Sequence, residues 1–244
     1  MERSSPGNSR SPVWVGLYRI GGVAPFVAAL LYLSQFLILL SGETYPTAPQ
    51  DWFALFQRSR ILGLFFLNAL DIVSISLIGL MFAALYVALR QTSPSSMAVG
   101  AFLAFLGVAV FISARAAAVT ATLSLSERYA SAAGEAQRSQ LVAAGLAVHA
   151  ATRATPETLG FLFVAVGGAI TSAVTLRRGI FSRAAGYLGL AAGLVTIANH
   201  LSKIVAPAVA PMLMPVNGLL WLVWWLLMSS GLLRLARRVA TPHP

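Results

Sequence analysis

Two ionisable residues interrupt long apolar stretches of the sequence: Asp71 within residues 61–89 and Arg115 within residues 97–123. A charged side chain in bilayer hydrocarbon costs about 2.5–3.5 kcal/mol on insertion scales, so each calls for a partner. The two stretches are joined by a tight Ser/Pro-rich loop at 91–96, which makes them antiparallel neighbours. Asp71 lies about ten residues from the outer end of the first stretch, and Arg115 about eight from the outer end of the second. At about 1.5 Å per residue they share a depth, and they are expected to pair. Such a pair either fixes helix register or forms a proton or substrate site.

A second polar group is Asn199, His200 and Lys203. Their spacings of three and four residues put them on one side of a helix. Lys203 has the reach to snorkel its ammonium to the interface, whereas a neutral imidazole at His200 still needs partners. With Asn68, Asp71, Arg115 and Thr120, this group defines a candidate outward-facing polar pocket for a small molecule or ion. No metal site is expected, and no cofactor. His200 is the only histidine in an apolar run, since His149 falls in a loop and His243 in the tail, so paired haem ligands are missing. There is no HExxH, no phosphate-binding loop and no GxSxG. Lys203 is not in a seventh helix, where a retinal Schiff base would place it. The absence of cysteine excludes disulfides, thiolate chemistry and cysteine-ligated metals.

The elements that carry these residues follow from composition. Hydrophobic residues are 58% of the 244 and charged residues 10%, with mean hydropathy +0.79. Soluble domains carry about 25% charged residues, so lipid is the expected solvent for most of this chain. The fold class is all-α, a polytopic bundle of about six transmembrane helices at 20–40, 61–89, 97–123, 155–176, 184–206 and 216–235, each near the ~20 residues that cross a bilayer. The six-helix domain covers 20–238, between a disordered tail at 1–19 and a short tail at 239–244. The first run is too long for a signal peptide and reads as a signal-anchor. Residues 42–60 hold Trp52, Phe53, Leu55 and Phe56 among polar residues and read as an interfacial helix with aromatic anchors. Residues 124–155 form the one sizeable polar segment. There Ser124 and Glu127 give a capping-box spacing, and one or two helices lying on the membrane or over the bundle mouth are expected. Thr155, Pro156 and Glu157 read as the N-cap, first position and first-turn acid of the fourth span. Pro207, Pro211 and Pro215 read as a turn before the sixth.

Net charge is +10, but the basic residues sit singly or in pairs at the ends of apolar runs, which disfavours nucleic acid and favours a membrane topology. Arg3, Arg10, Arg19, Arg90, Arg177, Arg178, Arg183, Arg234, Arg237 and Arg238 fall on one side. Arg58, Arg60, Arg128, Arg138 and Arg153 fall on the other, with Glu43, Asp51, Glu127, Glu135 and Glu157. The positive-inside rule puts both termini in the cytoplasm and 124–155 outside. The Arg-, Ala-, Gly- and Leu-rich composition, with Lys203 the one lysine, suggests a bacterial inner membrane.

Small residues recur at helix-packing spacings: Gly100, Ala104 and Gly107; Gly160 and Gly167; Gly189 and Gly193. Such residues let helices approach closely, within the chain or, through Gly189 and Gly193, in a homo-oligomer. Trp221, Trp224 and Trp225 form a stripe suited to packing or lipid contact.

Several short motifs carry a resemblance. Leu17-Tyr-Arg-Ile-Gly-Gly22 opens the first helix, and Arg60-Ile-Leu-Gly63 precedes the helix with Asp71. Arg178-Gly-Ile-Phe-Ser-Arg183 forms a hinge before Gly186-Tyr-Leu-Gly189, and the last helix is Trp-rich. In these the chain resembles the bacterial six-helix membrane proteins grouped as domain-of-unknown-function family four-three-eight-six, over nearly its whole length. The resemblance implies topology and carries no established activity. The expected function is non-enzymatic, with the outer pocket taking a small molecule or ion. The alternatives are a structural or regulatory membrane protein with no ligand, and an enzyme acting on a lipid or quinone with His200 as base.

Overall fold

The computed structural model describes residues 12–40, 46–153, 155–177 and 179–241. The tail up to residue 11, Glu43, Arg178 and His243 lie outside the described residues, as does the end of the C-terminal tail. A 3-10 turn at Pro12–Trp14 leads into nine α-helices among the described residues. They are α1 (Val15–Leu40), α2 (Pro49–Arg58), α3 (Arg60–Phe66), α4 (Leu70–Leu89), α5 (Pro94–Ala130), α6 (Glu135–Arg153), α7 (Thr155–Thr175), α8 (Arg183–Val205) and α9 (Ala210–Ala240). Among the described residues six segments are long and apolar enough to cross a membrane, and they fall in turn on α1, α4, α5, α7 (with α6 before it), α8 and α9.

These six close into a ring. Each packs on its predecessor and successor, and α9 returns to α1. The pairs are antiparallel. Gly21 of α1 faces Leu80 and Ala84 of α4, Gly22 faces Leu233 of α9, and Gly218 of α9 faces the Tyr32 hydroxyl. The start of α1, the α4–α5 and α7–α8 turns and the end of α9 therefore share one end of the bundle. Tyr18, Phe82, Met81, Leu85, Met97, Trp224, Met228 and Leu232 fill its centre. The opposite end carries a lid. There α5 runs past the bundle and packs with α6, and α2 lies against both.

The structure corrects four expectations. First, residues 61–89 do not form one helix. The chain breaks at Leu67–Asn68–Ala69, where Asn68 takes a left-handed conformation with φ 57°. The Asn68 amide donates to the Phe65 carbonyl and the Ala69 amide to the Leu64 carbonyl, the paired bonds of a Schellman stop with Asn in place of the usual Gly. The membrane helix then starts at Leu70, and Asp71 sits in its first turn.

Second, the aromatic face of α2 is not free to anchor in lipid. Trp52 and Phe53 are fully buried. Trp52 joins Leu55, Phe56, Phe66 and Leu67 in a separate small core, while Phe53 packs on Gly145 of α6 and on the Tyr129 ring. Covering by the long α5–α6 hairpin outcompetes lipid for this surface.

Third, Ser124 and Glu127 do not cap a new helix, because α5 continues through them to Ala130. Glu127 instead meets Arg60 at 2.6 Å across the lid. Similarly, α9 begins at Ala210. Pro211 falls where helical amides have no internal partner, and only Pro215 lies inside the helix.

Fourth, Gly189 and Gly193 are buried within the chain. The position of a Cβ on Gly189 is filled by Ser172 and Trp224, and that on Gly193 is crowded by Ala169. They carry packing of α8 on α7 and α9, and offer no surface to a second copy.

Candidate functional site

Arg115 is the hub of the lid-side mouth. It is only 6% exposed, yet it meets three elements besides its own. Its Nη2 lies 2.9 Å from Glu157 Oε1 on α7 and 3.6 Å from Asp71 Oδ2 on α4. Its Nη1 donates to the Leu67 carbonyl at 3.4 Å, a group at the helix break. The guanidinium also stands 5.2 Å from the Phe111 ring centroid, within the range of a cation–π contact. The expected Asp71–Arg115 pair is present, but Glu157 makes the shorter, hydrogen-bonded contact.

Local structure explains why two acids fit here. Asp71 and Glu157 each lie in the first turn of a helix, where the macrodipole favours negative charge. Depth explains why Arg115 is tolerated. From Pro94 to Arg115 the helix rises about 32 Å, matching the ~30 Å hydrocarbon core. A helix that enters the hydrocarbon at Pro94 would bring the cluster to its lid-side edge. A cavity of ≈ 10 Å³ adjoins Arg115 and Glu157, walled by Leu67, Phe111, Ala118 and His149, with room for about one water.

Glu157 and His149 belong to this site and were not anticipated in it. Glu157 was recognisable as a first-turn acid, but nothing local in the sequence brings α7 against α5. His149 sits on α6, with its ring 5.7 Å from that of Trp52, and joins the site only because the lid folds over the mouth.

His200 and Asn199 are buried in α8, and they share no direct hydrogen bond with the Arg115 cluster among the described residues, although the Glu157 charge reaches His200. His200 Nδ1 is 2.9 Å from the Thr196 carbonyl. A carbonyl only accepts, so Nδ1 carries the proton of the neutral ring. The His200 ring lies 6.3 Å from Phe161, which stacks edge-on against Phe111 at 4.9 Å. Two aromatic rings thus stand between His200 and Arg115. Lys203 and Thr120 are exposed; the Lys203 charge acts on the His200 ring, and Thr120 joins neither group among the described residues. Asn68 contributes through its backbone, by ending α3 where the Leu67 carbonyl can accept from Arg115.

The two groups nonetheless share one level. Thr196 donates to Asn217 Oδ1 on α9 at 2.8 Å and accepts from Trp221 Nε1 at 2.8 Å. Asn217 adjoins Gly218, which faces Tyr32 of α1. Continuing through His200, Phe161, Glu157, Arg115 and Asp71, each of the six spans brings a polar side chain to the lid end. Around Arg115, carboxylates outnumber guanidinium two to one.

The family described as Domain of unknown function (DUF4386) matches residues 17–229. No curated protein and no solved structure matches the chain.

Proposed function

We infer, from a chain that belongs to this family, a non-enzymatic multi-pass protein of the bacterial cytoplasmic membrane whose lid-side mouth binds a small cation or proton. The observation that carries the reading is the Asp71–Arg115–Glu157 cluster, two carboxylates around one guanidinium beside a water-sized cavity. The excess carboxylate sets the sign of the ligand, and the ≈ 10 Å³ cavity sets its size. Ionisable residues on membrane-crossing helices mark ion and proton sites often enough to make this the first reading.

The test is thermal unfolding of the detergent-purified protein in sodium, potassium or choline chloride at equal ionic strength, at pH 6 and pH 8. Sodium, potassium or a change of proton concentration should raise Tm by about 2–4 °C, the shift for roughly 1 kcal/mol of linkage in a chain of this size. Glu157→Gln should lose that increment. Equal Tm for wild type in all six conditions would remove the reading.

One observation favours a second reading, a ligand-free ionic staple: the Arg115 contacts to Asp71, Glu157, Leu67 and Phe111 already engage the guanidinium from several sides.

We further propose that both termini face the cytoplasm and the lid faces outward, supported by the segregation of Arg90, Arg177, Arg183, Arg234, Arg237 and Arg238 to the turn end. The chain has no cysteine, and Ser95 in the α4–α5 turn region and Ser131 in the lid are both exposed. In intact cells an impermeant thiol reagent should label Ser131→Cys and spare Ser95→Cys. The reverse pattern inverts the orientation.

A further inference from the structure

The two ends of the bundle are opposite in how they treat arginine. At the lid end Arg60 pairs with Glu127, and Arg115 with Glu157 and Asp71. Every acid among the described residues (Asp51, Asp71, Glu127, Glu135 and Glu157) belongs to that end. At the turn end Arg19, Arg177, Arg183, Arg234, Arg237 and Arg238 are exposed, and none has an ion pair among the described residues. Arg90 is held differently, over the Trp14 ring at 5.5 Å.

Three of these arginines are gathered by packing. Phe181, in the α7–α8 turn, is 5% exposed and lies so tightly on Gly231 of α9 that a Cβ there would strike its ring. Leu176 is seated in the same way against Gly186 of α8. The first contact pins the turn to α9 and the second to α8. Arg177 and Arg183 flank Phe181, and Arg234 stands one helical turn beyond Gly231 on the same side. Ser182 caps α8, its hydroxyl accepting from the Ala185 amide at 3.2 Å. The N-terminus of this 23-residue helix, which carries Arg183 in its first turn, adds its partial positive charge.

We propose that this notch, formed by Arg177, Arg183, Arg234 and the start of α8, binds the headgroup of an anionic phospholipid. The occupant follows from position as well as charge. The notch lies at the end of membrane-crossing helices, where phosphodiester headgroups are the densest anions. Exposed Tyr187, one turn into α8, offers an aromatic ring at the same interface. Guanidinium forks match phosphate oxygens two at a time. Each arginine near a charged bilayer surface contributes about fivefold in affinity, so three supply about a hundredfold.

The test uses the full chain purified in a neutral detergent and titrated with dioleoyl phosphatidylglycerol or dioleoyl phosphatidylcholine, read by native mass spectrometry and by Tm. The anionic lipid should remain bound and raise Tm, and the zwitterionic one should not. Arg177→Gln/Arg183→Gln/Arg234→Gln should weaken phosphatidylglycerol binding by about a hundredfold. Arg58→Gln/Arg128→Gln/Arg138→Gln, at the lid end, should bind as wild type does. A triple lysine variant at the three notch positions keeps charge without the fork and should fall between the two; it also serves if the glutamine variant fails to fold. Equal binding of both lipids, equal loss from the lid-end variant, or displacement of the lipid by millimolar inorganic phosphate would each overturn the proposal. The last outcome would mark a free-anion site instead.

Discussion

Arg115→Gln is expected to be among the most damaging single substitutions in this protein. It removes the cation from between two carboxylates and leaves the Leu67 carbonyl without its donor. Breaking a buried ion pair from one side costs about 3–5 kcal/mol. The lower part of that range applies, because Asp71 and Glu157 keep 21% and 26% of their side-chain exposure. The acids should rank by geometry. Toward Arg115, Glu157→Gln loses a 2.9 Å charged hydrogen bond, whereas Asp71→Asn loses a 3.6 Å ion-pair contact, so Glu157 should couple more strongly to Arg115. Denaturant or thermal unfolding in detergent gives the order directly. In double-mutant cycles, a coupling of Arg115→Gln with Asp71→Asn equal to or larger than its coupling with Glu157→Gln would refute Glu157 as the principal partner. From the sequence alone, exchanging the charges by Asp71→Arg with Arg115→Asp looks restorative. The structure predicts no rescue, since an aspartate at position 115 would face Glu157.

That reversal marks where sequence reading stops. The shared depth of Asp71 and Arg115 was legible because a short turn forces α4 and α5 together, and helix rise then fixes the level. The Arg flanks and the Ser/Pro turn at 91–96 located the helix ends for the same local reasons. The break at Asn68 was not legible. Residues 61–70 are apolar apart from Asn68 itself, so hydrophobic periodicity carries no signal of a stop, and Asn is tolerated in either conformation. Yet the break is what places Asp71 at a helix N-terminus and frees the Leu67 carbonyl for Arg115. The lid was misread for a related reason. An amphipathic aromatic helix such as α2 looks the same whether it covers lipid or protein. Only the unanticipated length of α5, continuing to Ala130, supplies the protein surface. The partner of Arg115 on α7 was hidden because 41 residues separate Arg115 from Glu157 in sequence, and the α5–α6 hairpin that brings them together lies between.

Gly107→Val is expected to cost about 3 kcal/mol, at the upper end of what overpacking a tight interface does, and to disable the mouth as well. A Cβ on Gly107 would stand 2.5 Å from the Gly160 carbonyl oxygen and 2.8 Å from the Val164 amide nitrogen. Those are backbone atoms of α7, which no rotamer change can move. The same closeness recurs below, where a Cβ on Gly167 would lie 2.6 Å from the Gly100 carbonyl. The α5–α7 contact is thus backbone on backbone over several turns, the close approach that small residues permit. Gly79 provides the contrast. Its nearest neighbours are Val108 methyls at 3.7 and 3.9 Å, so Gly79→Ala should change stability by no more than about 0.5 kcal/mol, with helix propensity in its favour. The functional consequence follows from register. Glu157 lies one turn before Gly160, and Arg115 two turns past Gly107, so a wedge at 107 parts the 2.9 Å Glu157–Arg115 contact before any other element of the cluster. The Asp71 contact, carried by α4 on the other side of α5, is spared. Gly107→Val should therefore lose the cation- or proton-dependent rise in Tm along with baseline stability, while Gly79→Ala keeps both. A Gly107→Val protein as stable as wild type would show that α5 and α7 are not in backbone contact.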